Sequence, residues 1–181
     1  NLFKDALWFK REFGKYAIYM ENQLKKSGVS ILMNTEATPD DIKKQGFDVV
    51  LVGIGSDPAT LNIAGINTPN VIQGRDALGH DEKIGQKVVI IGGGSIGCEI
   101  AIDLAGKGRD VTIVELSEYL SSNSQLTDRT QILMHLKKLE VKSMLETRCL
   151  EIQERGVYVQ NKDGVRLFLE ADTIILAVGS V

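Results

Sequence analysis

Apolar positions along the chain follow three different rhythms. Residues 88–91 (Val-Val-Ile-Ile) form an unbroken β-branched run, as expected of a parallel strand covered on both faces. After a glycine cluster, Ile96, Ile100 and Leu104 recur at i, i+4 and i+8 and predict a helix of about 12 residues, stopped by Gly106 and Gly108. Residues 111–114 read as a second strand ending on Glu115, and Ile132, Leu133, Leu136 and Leu139 mark a helix over about 127–139 on which His135 is exposed. A third strand follows at 141–145. Three short, strongly alternating runs then follow, at 150–153, 157–160 and 166–169, with Asp163-Gly164 as a hairpin turn between the last two. Residues 172–178 return to a continuous apolar run, a strand that rejoins the sheet beside the first.

The N-terminal third is patterned less regularly. Phe9, Phe13, Tyr16, Met20 and Leu24 recur at three- and four-residue spacing and predict an amphipathic helix from about Ala6 to Lys26, weakened by Gly14 and closed by Gly28. Its aromatics, Trp8 and Tyr19 among them, are expected to form a core-facing stripe. Residues 30–34 read as a strand. Thr38-Pro39-Asp40-Asp41 has the hydroxyl cap, first-turn proline and acids of a helix start, and Gly46 ends that helix. Residues 48–52 read as a second apolar strand. Residues 59–85 carry glycines and Pro69 with little periodicity, as a crossing between domains would, and His80 there is expected to be solvated.

Length and charge narrow the classes. The 181 residues fit one large α/β domain or two small ones, and 43% hydrophobic content suffices for a buried core. A formal net charge of −3, with no Lys/Arg stripe carrying interleaved aromatics, speaks against nucleic acid. The apolar runs are too short to span a bilayer. Cys98 and Cys149 form no C-x-x-C and have no zinc spacing with His80 or His135, so reduced thiols in a cytoplasmic protein are expected, with Cys98 packing between helix and sheet. The start at Asn1 and the stop at Val181 suggest a piece of a longer polypeptide.

The candidate chemistry lies where the first strand meets its helix. Gly92-Gly93-Gly94-Ser95-Ile96-Gly97 fits G-x-G-x-x-G. Gly92 permits the tight turn, Gly94 lets backbone N–H groups approach a pyrophosphate, and Gly97 lets the helix lie close on the sheet. The N–H groups of Ser95 and Ile96, at the positive end of the helix, are the donors. Glu115, about 20 residues beyond the glycines, can accept both hydroxyls of the adenosine ribose and would repel a 2′-phosphate, which favours NADH over NADPH. An S-adenosylmethionine-dependent methyltransferase, which also uses a glycine turn and a strand-end acid, competes with this reading. So does a nucleotide-sensing module without catalysis.

The order of elements, with a meander in place of a third helix, resembles the nicotinamide domain of the two-dinucleotide flavoprotein reductases. The resemblance rests on Gly92-Gly93-Gly94-Ser95-Ile96-Gly97-Cys98-Glu99, on Val111-Thr112-Ile113-Val114-Glu115, and on residues 171–179 ending Ala177-Val178-Gly179. Residues 47–58 look like the segment that closes the first FAD-domain lobe, with Gly53-Ile54-Gly55 where that family has Ala-Thr-Gly. Residues 23–29 and Asn34-Thr35-Glu36 are similar to one branch, the NADH:flavin oxidoreductases that include 2,4-dienoyl-CoA reductase and 2-enoate reductase. The resemblance implies an α/β fold: a Rossmann-like NAD(P)-binding domain with an antiparallel β-meander crossover at 76–181, and the remnant of an FAD-binding Rossmann-like lobe at 1–75. It implies hydride delivery from NADH to FAD, with FMN, a 4Fe–4S cluster and the substrate site in domains this chain lacks. The cofactor-binding set it implies is Gly92, Gly93, Gly94, Ser95, Ile96, Gly97, Glu99 and Glu115, with Ala177, Val178 and Gly179 along the nicotinamide and Gly55 on the FAD side. The remaining domains of the parent flavoprotein are the expected partners. With only two separated cysteines, a disulfide-reductase role for this chain is disfavoured.

Overall fold

The computed structural model describes residues 7, 9–10, 12–78 and 80–180; the expected helix start at Ala6, the aromatic Trp8, Gly79 of the crossing and the terminal Val181 lie outside the described residues. In chain order the elements are helices α1 (Glu12–Lys26) and α2 (Pro39–Gln45), strand β1 (Val71–Gln73) and the single helical turn α3 (Gly74–Ala77). Then come β2 (Lys87–Ile91), α4 (Ser95–Gly106), β3 (Asp110–Val114), α5 (Leu126–Lys138) and β4 (Lys142–Met144). Strands β5 (Thr147–Gln153), β6 (Gly156–Asn161), β7 (Arg166–Glu170) and β8 (Thr173–Leu176) complete the chain.

The fold is α/β. Five parallel strands lie in the order β1-β8-β2-β3-β4, and β5-β6-β7 form a separate antiparallel meander. The unbroken apolar character of β2 has a direct cause, because both faces of the sheet are covered. Val88 and Ile90 point to one side, where they pack with Ile100 and Leu104 of α4 and Ile132 and Leu136 of α5. Val89 and Ile91 point to the other and pack with Ile152, Val157 and Val159 of the meander. Ile90 is fully buried, Cys98 packs in the helix-side core as expected, and β8 lies directly beside β2.

The N-terminal stretch departs from the expected pattern. Helix α1 forms, yet none of its residues is buried, and Phe13, Tyr16, Met20 and Leu24 lie open to solvent rather than on a core. Residues 30–34 and 48–52 form no strands. Their backbone groups find no ladder partner, and Leu51 and Ile54 are each 92% exposed. Helix α2 starts as its cap predicts, with the Asp41 N–H donating to Thr38 Oγ1 at 3.2 Å. The crossing holds an element with no sequence signal: β1 pairs with β8, and Leu61, Ile63 and Ile66 pack against the meander-side core. His80 is exposed as expected, whereas His135 is half-buried and stacks on the Phe9 ring with centroids 6.0 Å apart.

Candidate nucleotide-binding site

The carboxyl ends of β2, β3 and β8 open onto a cavity of about 910 Å³. Parallel sheets place ligands at this edge, where the following loops and helix N-termini converge. Of the residues expected at the site, Gly92, Gly94, Ser95, Ile96, Glu99, Glu115, Ala177, Val178 and Gly179 all line this one cavity. Gly93, Gly97 and Gly55 stand outside the lining, the first two buried and Gly55 on the exposed N-terminal stretch, although its neighbour Ser56 reaches the wall.

The glycines separate by what they meet. Gly92 has φ +105°, and a Cβ there would sit 2.4 Å from the Ala177 carbonyl oxygen, so neither the backbone conformation nor the contact tolerates a side chain. A Cβ on Gly97 would lie 2.0 Å from the Gly92 carbonyl oxygen, which is the close helix-to-turn contact the motif demands. A Cβ on Gly93 would collide with Leu120. Gly94 differs from these three. A Cβ there would meet only the Asn123 amide, at 3.7 and 3.9 Å, and otherwise the cavity. Nothing inside the protein crowds a side chain at 94, and its Cβ space opens on the cavity.

Glu115 is placed from both backbone and side chain. Its N–H donates to the Met144 carbonyl and its carbonyl accepts from the Thr147 N–H, each at 2.9 Å, which seats it between β4 and β5. The carboxylate then reaches across to the glycine turn: Oε2 accepts the Gly93 N–H at 2.5 Å, and Oε1 accepts the Ser117 N–H at 2.8 Å. The Ser117 hydroxyl lies 2.8 Å from Oε1 and 2.9 Å from the Tyr119 carbonyl, so it can turn away without losing an acceptor. A carboxylate offers roughly four lone-pair sites. Two of them are therefore open to a diol once Ser117 turns. Glu99, at the start of the second turn of α4, is mostly buried and paired to Lys10, which also lines the cavity.

Ile96 is half-exposed into the cavity instead of following Ile100 and Leu104 into the core. At N2 of α4 it lies on the side of the helix that meets the opening, so an apolar stripe at helical spacing misplaced its first member. Other wall residues carry no motif: Asn123 in the loop after β3, and Thr147 and Arg148 at the start of β5, the Arg148 guanidinium being tied to Gln160 Oε1 with Nε at 3.1 Å. They reach the cavity through tertiary placement alone. Both cysteines are free thiols. Burial pushes the Cys98 thiol up to about 12 and the Cys149 thiol to about 11, and Cys98 Sγ donates to the Gly93 carbonyl. Neither is poised as a nucleophile. No helix among the described residues is long and apolar enough to cross a membrane.

Comparison with known proteins agrees with this geometry. Residues 9–181 match the family model described as pyridine nucleotide-disulphide oxidoreductase. Cinnamate reductase of Clostridium sporogenes is 34% identical over 176 residues, an alignment covering 94% of this chain and 26% of that protein. Bilirubin reductase of Mediterraneibacter gnavus is 29% identical, with 94% and 26% covered. Among solved structures, a complex of 2-naphthoyl-CoA reductase with 2-naphthoyl-CoA superposes with a TM-score of 0.84 at 31% identity, again over 94% of this chain and 26% of that one. The chain thus spans about a quarter of the length of these relatives. It is homologous to the FAD/NAD portion of multidomain enoate-type reductases, and it belongs to the pyridine nucleotide-disulphide oxidoreductase family, whose members bind FAD and NAD(P)H.

Proposed function

We propose that this chain is the NADH-binding unit of a multidomain flavin-dependent reductase, positioning NADH to reduce FAD in support of an enoate- or enoyl-type reduction carried out elsewhere in the parent protein. Residues 76–181 are the nicotinamide unit. Residues 1–75 belong to the flavin lobe, with β1 as the strand through which that stretch is fastened to the sheet. The observation that carries the reading is Gly94, a glycine with ordinary backbone angles whose missing side chain faces the cavity.

The residues divide the work by position. The turn at 92–94 and the N-terminal amides of α4, from Ser95 and Ile96, hold the diphosphate. Glu115 takes the adenosine ribose, and its charge disfavours a 2′-phosphate there. Ala177, Val178 and Gly179 line the nicotinamide side, where nothing lies within 4 Å of a Cβ built on Gly179. Glu99 stands over the same half, held by Lys10. The nicotinamide supplies the hydride when bound, and the protein supplies orientation and a wall of apolar groups, Ile96, Ile100 and Leu176 among them.

Equilibrium titration tests the proposal. NADH is expected to bind more tightly than NADPH, and S-adenosylmethionine not to compete. Glu115→Ala should weaken NADH by about 10- to 100-fold, the worth of charge-assisted hydrogen bonds to the diol, while closing the gap to NADPH. Preference for S-adenosylmethionine, or Glu115→Ala binding NADH as the wild type does, would overturn it.

A further inference from the structure

The glycine turn already has a ligand supplied by the chain itself. Asn123 Oδ1 accepts the Ser95 N–H at 3.1 Å, so the first amide of α4 is occupied by a side-chain oxygen. The side-chain amide of Asn123 is also what a Cβ on Gly94 would meet, at 3.7 and 3.9 Å. Asn123 therefore sits at the spot where a phosphate oxygen has to arrive, and it makes the bond that oxygen would make.

The loop that carries it is fastened to the turn by its backbone. The Ser121 N–H donates to the Gly93 carbonyl at 2.7 Å, and Ser121 is fully buried. The Leu120 side chain closes over Gly93, and Arg129 Nε donates to the Leu120 carbonyl at 2.9 Å. The Ser121 and Ser124 hydroxyls bond each other at 2.6 Å across the intervening pair. Ser122 and Asn123 are left exposed on the cavity rim between Ser121 and Ser124, whose N–H groups donate to the Gly93 and Ser121 carbonyls. Releasing Ser95 needs a rotation of the Asn123 side chain into solvent and no movement of the loop.

We propose that Asn123 is a placeholder for the dinucleotide's diphosphate: a built-in acceptor that caps α4 when the site is empty and has to be displaced on binding, so that it sets the affinity for phosphate-bearing ligands in particular. This rests on the nucleotide reading above. A neutral amide is a weaker partner than a diphosphate for the helix N-terminus, so displacement runs toward the ligand. The cost is one exposed hydrogen bond.

The test is calorimetric titration of the full 181-residue chain with adenosine, ADP and NADH. Asn123→Ala should bind ADP and NADH about two- to tenfold more tightly, the equilibrium worth of one such bond, and adenosine as the wild type does. The same variant without ligand should melt a few degrees lower, roughly the loss of one cap. A merely structural residue would not move stability and affinity in opposite directions. Asn123→Asp, which holds Ser95 more firmly and repels the diphosphate, should weaken ADP and NADH at least about tenfold and spare adenosine. Asn123→Ala binding ADP and NADH more weakly, or no differently, overturns the proposal, the first result making Asn123 a direct donor to phosphate. Equal changes for adenosine and ADP overturn it too. A wild-type chain that binds none of the three brings down the nucleotide reading itself.

Discussion

Residues 49–52 read Val-Val-Leu-Val and residues 88–91 read Val-Val-Ile-Ile, yet the two runs meet opposite fates. The second is β2, hydrogen-bonded to β3 and β8 and sealed by α4 and α5 on one face and the meander on the other. The first forms no strand, and all four of its side chains are exposed. A β-branched run makes a strand favourable but cannot supply the neighbours that take its N–H and C=O groups, nor the layers that remove its side chains from water. What separates the two is the company each finds in this chain. In the proposed parent, that company for residues 48–52 would be the rest of the flavin lobe.

The sharpest way to break the comparison is to make one deletion in both runs. Ile90→Ala leaves a hole between α4 and the sheet and should cost about 2–5 kcal/mol, whereas Leu51→Ala should stay within about 0.5 kcal/mol of wild type, both read from urea unfolding by circular dichroism. Equal losses would mean that residues 48–52 are packed in solution and that the contrast is false. The gap would narrow in the intact parent if the flavin lobe completes a sheet around them.

Glycines sharpen the same contrast at somewhat smaller cost. Gly97→Ala drives a methyl into the Gly92 carbonyl and should cost about 1–3 kcal/mol or more, because backbone on both sides has to shift. Gly53→Ala, in the unpacked stretch with nothing within 4 Å, should be neutral or slightly stabilising. Gly94→Ala is the informative third case. It belongs to the packed region yet meets no clash, so it should leave stability nearly unchanged and weaken ADP and NADH binding at least about tenfold, since the methyl stands where the diphosphate approaches. If Gly94→Ala unfolds the chain instead, glycine at 94 serves packing, and the cavity in front of it loses its meaning.

These contrasts mark what the sequence could reveal. The β2-turn-α4-β3 unit was legible because its signals are local: a strand run, three glycines at fixed spacing, a helical stripe and an acid within one short stretch. The meander was legible from alternation. β1 was not, because its three residues have no periodicity to display, and its partner β8 lies about a hundred positions away. The expected strands at 30–34 and 48–52 failed for the converse reason, since their composition promised partners that none of the described residues supplies. At the site, Glu115 could be found by its distance from the glycines. Asn123 and Arg148 could not, because an asparagine in a polar loop and an arginine on a strand say nothing until tertiary structure brings them to the cavity. Ile96 shows the limit of a periodic pattern: Ile100 and Leu104 are buried in the core, while Ile96, one turn earlier, is exposed at the cavity.

The smallest effect reads the packed region through a proton. Both cysteines lie in that region and none lies before residue 98, so thiol titration reports on it alone. Burial, the leading cause, raises the Cys98 thiol from an ordinary value of 9.0 to about 12, with the Glu115 and Glu99 charges adding in the same direction; burial likewise raises Cys149 from 9.0 to about 11. A thiol held protonated in the folded chain binds more protons than its unfolded counterpart between those values, so stability falls as pH rises there. The contribution is complete below about pH 9 and is lost progressively up to about 12 for Cys98 and about 11 for Cys149. Each thiol then contributes at most about 1.4 kcal/mol per pH unit. Cys98→Ala should therefore be less stable than wild type at pH 8, with the difference shrinking by about 1 kcal/mol by pH 10 as the wild type loses its protonated-thiol advantage. A difference that stays constant from pH 8 to pH 10 would show that Cys98 ionises as freely folded as unfolded, which a side chain sealed between α4 and the glycine turn cannot do.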